Sequence, residues 1–124
     1  MFLALWGVGL LVAATSPIDA EGAPQTLAGT IHGINGPLTF LCPTIGMNFV
    51  SRAFTSDARW RQIHRFAVAI ALLMIPEVVV GGVARARGVG AGLAQRLLIL
   101  TFATWFLLVA SQLRSNAVRI GKAP

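Results

Sequence analysis

The sequence predicts an all-α fold, an integral membrane bundle of four transmembrane helices, and three observations carry that prediction. Hydrophobic residues fill 56% of the 124 positions and charged residues only 11%, a charged share about half that of a soluble globular domain. The apolar residues come in blocks, and about 20 residues of helix suffice to cross a hydrocarbon core. The ten lysines and arginines sit in the gaps and at the ends of those blocks, where charge sets topology.

The first block, residues 2–16, is short. About 15 residues give roughly 22 Å of helix, marginal for a full crossing. It runs into Pro17, Gly22 and Pro24, which end a helix. A cleaved secretory signal is the rival reading of this segment, and the lack of any Lys or Arg ahead of the apolar core favours a retained helix. The second block covers residues 26–50 and the third residues 61–83. A connection containing Arg85, Arg87, Gly88 and Gly90 leads to the fourth, residues 91–113. The tail, residues 114–124, is polar and basic and is expected to fray. The whole chain reads as one membrane domain.

Charge asymmetry orients the bundle. Arg52, Arg59 and Arg61 against a single Asp57 mark the second connection as cytoplasmic, and Arg114, Arg119 and Lys122 mark the tail the same way. The first connection carries Asp19 and Glu21 with no cation, so it can lie outside. Four crossings with both termini in the cytoplasm satisfy all three, in the plasma membrane. Arg85 and Arg87 then fall outside, against the trend.

On this topology the second helix enters from the outer face. His32, Asn35 and Thr39 follow an i, i+3, i+7 spacing and share one face, which should look into the bundle because polar groups facing lipid find no partners. Gly29, Gly33 and Gly36 allow another helix to approach closely and offer a surface for homo-oligomers. In the third helix Glu77 follows Pro76 within the apolar stretch 72–80. A carboxylate there is costly unless paired or protonated, and Arg96 at the outer start of the fourth helix is the expected partner.

Asp19, Glu21, His32, Glu77, Gln95 and Arg96 thus gather at the outer side. With Asn35 they form a candidate site for a small polar ligand, a proton or a lipid headgroup. The competing account is a structural or assembly subunit whose polar residues only hold helices together. A membrane-embedded enzyme ranks behind both, and no residue stands out as catalytic.

Several chemistries are excluded or lack a motif. His64, among Arg61 and Arg65, falls at the opposite leaflet from His32, so the two cannot share a haem. No ligand spacing supports zinc, and no cofactor is expected. Gly81-Gly82 and Gly88-Val89-Gly90 read as turn residues rather than phosphate loops. The net charge of +6 forms no stripe with interleaved aromatics, so nucleic acid is not a partner; the lipid bilayer is. Cys42 is the sole cysteine and permits no intrachain disulfide. Trp60 suits a headgroup anchor, while Trp105 should pack inside the bundle.

Pro17-Ile18-Asp19, Gly29-Thr30-Ile31-His32-Gly33, Trp60-Arg61, Gly92-Leu93-Ala94-Gln95-Arg96 and Trp105, in that order, resemble the motifs of the domain of unknown function 998 family, multi-pass prokaryotic membrane proteins. Pro17-Ile18-Asp19 resembles its Pro-x-Asp loop and Gly29-Thr30-Ile31-His32-Gly33 its Gly-x-x-His segment. Trp60-Arg61, Gly92-Leu93-Ala94-Gln95-Arg96 and Trp105 resemble its later motifs. The resemblance spans about residues 5–115, departing at Ala20-Glu21-Gly22, where the family tends to keep a second proline. It implies the C-terminal portion of a longer family member, hence a truncated or naturally short relative. It also implies a membrane location and no assigned activity, and it singles out Asp19, His32 and Arg96.

Overall fold

The computed structural model of the chain describes residues 1–20 and 22–121, apart from the side chain of Ile120. Glu21 and Lys122, both used in the charge argument, lie outside the described residues. Among the described residues the fold is all-helical. It consists of α1 (Phe2–Thr15), α2 (Leu27–Ala53), a 3-10 turn (Phe54–Ser56), α3 (His64–Ala86) and α4 (Ala91–Ile120). Two of these helices, α3 and α4, are long and apolar enough to cross a membrane. At 1.5 Å per residue the 23 residues of α3 reach about 34 Å. Helix α1 is apolar but shorter, and α2 is diluted by Gly, Thr, His, Asn and two internal prolines, Pro37 and Pro43.

The ends of the helices follow from local chemistry. Helix α1 stops at Ser16, whose backbone turns out of the helical region (φ −122°, ψ 89°) ahead of Pro17, as the residue before a proline tends to. Helix α2 starts after Thr26, whose hydroxyl accepts the Gly29 amide at 3.1 Å, an N-cap bond to the third helical residue. Helix α3 begins at His64 rather than at residue 61, because Asp57 to Ile63 are taken up in turns, with Trp60 N–H donating to the Asp57 carbonyl and Ile63 N–H to that of Trp60. Gly88 and Gly90, at φ 67° and 75°, make the tight α3–α4 connection in the left-handed region that glycine enters without strain.

Helix α4 continues past residue 113, into the segment expected as tail, and ends at Ile120. Gln112 and Asn116, one turn apart, both direct side-chain amides at the Arg59 carbonyl, at 2.6 and 3.5 Å. That anchor keeps the extra turns in place.

The chain divides into two compact units, Met1–Met47 and Asn48–Pro124. In the first, α1 lies antiparallel to the early part of α2. Gly9 is buried there, and a Cβ on it would come within 2.7 Å of the Thr39 hydroxyl. In the second, α3 and α4 form an antiparallel hairpin. Small Ala67 and Ala71 with Met74 on α3, and Leu98, Phe102 and Trp105 on α4, form its core. The last turns of α2 join it through Asn48, which donates to the Ala71 carbonyl at 2.9 Å, and Ser51, which donates to that of Ala67 at 3.2 Å. Trp105, 2% exposed, is packed as its mid-helix position predicted.

Candidate functional site

Of the seven candidate residues Glu21 lies outside those described, while Asp19, His32 and Asn35 belong to the first unit, and each has found a partner there. Asp19 accepts the Thr26 hydroxyl at 2.6 Å and the Thr26 amide at 3.0 Å. Those two bonds, the hydroxyl first, hold its carboxyl below the ordinary aspartate range. The carboxylate stands at the positive end of α2, over Gly29, where an added Cβ would fall on it. His32 contacts the Ser16 carbonyl through Nδ1 at 2.7 Å. A carbonyl only accepts, so Nδ1 carries the proton in this contact. Asn35 donates to the Gly9 carbonyl at 2.8 Å, and Thr39 is buried against Gly9. The i, i+3, i+7 face therefore turns inward as its polarity required, and its partners are backbone carbonyls of α1. The two segments Pro17-Ile18-Asp19 and Gly29-Thr30-Ile31-His32 are halves of one contact.

Glu77, Gln95 and Arg96 belong to the second unit. Contrary to expectation, Glu77 does not pair with Arg96. Its Oε1 accepts the Thr101 hydroxyl at 2.8 Å, while its Oε2 is buried with no hydrogen-bond partner among the described residues. The reason lies in the phase of α4. Gly81 faces Ala94 across the hairpin, where an added Cβ would stand 3.9 Å from the Ala94 Cβ. With 3.6 residues per turn, Arg96 lies about 200° around the helix from Ala94, on the side turned away from α3. Both Arg96 and Gln95 are exposed. Pro76, just before Glu77, lacks an N–H and so leaves the Leu72 carbonyl without its helical donor.

Thr101 is the residue that sequence reasoning missed. It is the one hydroxyl in residues 97–103, and an antiparallel hairpin with a short turn brings it to the level of Glu77. Ser51 was missed as well. Its Oγ donates to the Ala67 carbonyl and accepts the Trp105 indole N–H at 2.8 Å, and its own carbonyl meets His64 Nδ1 at 2.9 Å. Trp60, expected as an interfacial anchor, stacks on Phe54 with ring centroids 4.8 Å apart. The one ion pair among the described residues is Arg59 with Asp57 at 2.7 Å, a pair that holds the Asp57 carboxyl below its usual range. No group of three or more metal-ligating side chains forms among the described residues.

A family model described as protein of unknown function (DUF998) matches residues 1–112. No curated protein and no solved structure matches the chain. The chain belongs to the DUF998 family.

Proposed function

From membership in this family, we propose that the chain is a multi-pass protein of the plasma membrane, crossing four times with both termini in the cytoplasm. We further propose that the Glu77 carboxyl is the centre of a site for a proton or a small polar ligand. The carrying observation is a buried Oε2 with no partner among the described residues, beside an Oε1 held by Thr101. Buried polar atoms are satisfied in the great majority of cases, and ionisable residues inside a membrane are functional by default. A proton on Oε2, or a donor group of a ligand reaching it, supplies the missing partner. This reading narrows the seven-residue cluster of the sequence to Glu77, joined by Thr101.

The test is chemical. A hydrophobic carbodiimide applied to membranes holding the protein modifies carboxyls that carry a proton in an apolar setting. Peptide mass spectrometry is expected to find the adduct on Glu77, and E77Q, which still accepts the Thr101 hydroxyl, is expected to fold and to lose it. An adduct confined to other carboxyls, with Glu77 untouched, overturns the assignment.

A second reading has its own observation. Asp19, His32 and Asn35 are occupied with backbone groups, which favours a structural or assembly role for that part of the chain. Gly29 is filled by Asp19, whereas Gly33 and Gly36 have nothing within 4 Å of an added Cβ. A homo-oligomer formed through α2 would therefore use the latter two.

A further inference from the structure

Val79, Val80, Val83, Ala84, Arg87 and Val89 line a shallow groove at the turn end of α3. Positions 79, 83 and 87 repeat every four residues, and 80 and 84 run beside them, so the floor is one ridge of α3 about 12 Å long. This ridge is not part of the packing against α4, which uses Ala67, Ala71 and Met74. Val79, Val80 and Val83 remain 61%, 59% and 46% exposed. The groove ends at the exposed guanidinium of Arg87, which has no hydrogen bond or ion pair among the described residues. Arg85 lies in the last turn of the same helix.

We propose that this groove seats one anionic phospholipid, with an acyl chain along the valines and the phosphate at Arg87. The inference rests on the reading of α3 as a membrane crossing. The order along the helix axis, apolar ridge first and cation last, is the order of acyl chain and phosphate in a lipid leaflet. A soluble anion gains only the guanidinium and leaves the valines uncovered. An apolar peptide covers the valines and leaves the cation unpaired. A guanidinium fork matches phosphate oxygens bidentately, and cations at the end of a membrane helix draw anionic headgroups.

The experiment compares the protein in nanodiscs of phosphatidylcholine alone with nanodiscs containing phosphatidylglycerol. Lipid retention is read by native mass spectrometry and stability by thermal unfolding. The wild type is expected to retain phosphatidylglycerol in preference to phosphatidylcholine and to unfold at higher temperature with it. R87Q, a change at an exposed position, is expected to bind phosphatidylglycerol about tenfold more weakly, the loss of one charge-assisted contact. V83W, which fills the groove, is expected to lose the same preference with Arg87 in place. Equal retention of both lipids by the wild type, or an R87Q protein that keeps the preference, overturns the proposal. So does inorganic phosphate reproducing the whole thermal shift, since the site would then be one for a soluble anion. Release of the chain from membranes by alkaline carbonate would overturn the membrane reading itself, whereas a firmly embedded chain without lipid preference overturns only the lipid site.

Discussion

Gly29 has no side chain because the Asp19 carboxylate occupies the space where one would stand. Replacing it with alanine forces the carboxylate off the Thr26 hydroxyl and amide. G29A is therefore expected to destabilise the protein by about 1–3 kcal/mol, the usual cost of overpacking, in detergent unfolding. Adding D19A should relieve the clash, so the double variant loses less than the sum of the two single losses. Asp19 also gives a pH signature. Its folded-state carboxyl is held below the ordinary value by Thr26, so the stability it contributes is present above that ordinary value and is lost as pH falls through the folded one. Unfolding temperature is expected to drop as pH is lowered below about 4, and D19N should shrink that drop. H32A tests the other half of the contact. It leaves the Ser16 carbonyl without its partner and is expected to cost about 1 kcal/mol. At this scale the sequence showed which side chains share a face, through the spacing of His32, Asn35 and Thr39. It did not show their partners, because the carbonyls of Ser16 and Gly9 have no letter of their own. The Glu77–Arg96 expectation failed for a different reason: opposite charges were matched by depth, and the phase of Arg96 around α4 was left out.

At the scale of the helices, apolar blocks located the four α-helices but not the 3-10 turn Phe54–Ser56, and the ends moved where polar side chains found backbone to hold. Helix α4 outruns its apolar stretch because Gln112 and Asn116 reach the Arg59 carbonyl, a contact that depends on how the 57–63 turns fold back. Helix α3 starts late because the same turns take its expected first residues. The joint of the second unit is Ser51, fully buried and bonded to α3 and α4 at once. S51A is expected to leave the Trp105 indole N–H buried without an acceptor, which costs about 1–3 kcal/mol. A lowered unfolding temperature together with a changed Trp fluorescence spectrum checks it, and an unchanged unfolding temperature would show that the indole bond carries no weight. Serine at the end of a long helix looks unremarkable in a sequence, and only the crossing of three segments gives it its role.

At the scale of the whole molecule, the account stands on the α3–α4 hairpin. Its two helices have the length and apolar character of crossings, its turn end carries Arg85 in the last turn of α3 and Arg87 just after it, and its far end carries Arg59, Arg61, Arg65, Arg114 and Arg119. In the proposed topology the far end, with its larger basic share, is the cytoplasmic one, as the positive-inside rule favours. Composition and block length made the two long apolar helices readable without coordinates. The site was less so, since the atom that carries the proposal, Glu77 Oε2, is distinguished by what it lacks. Cysteine accessibility in intact cells tests the central claim most directly. With Cys42 replaced by serine, the single variants Q62C, L73C and V89C are treated with a membrane-impermeant maleimide. The account predicts that V89C is labelled from outside, that Q62C is labelled only after permeabilisation, and that L73C, on an exposed face of α3 at lipid depth, is labelled in neither case. Labelling of Q62C and V89C from the same side, or ready labelling of L73C, would contradict it.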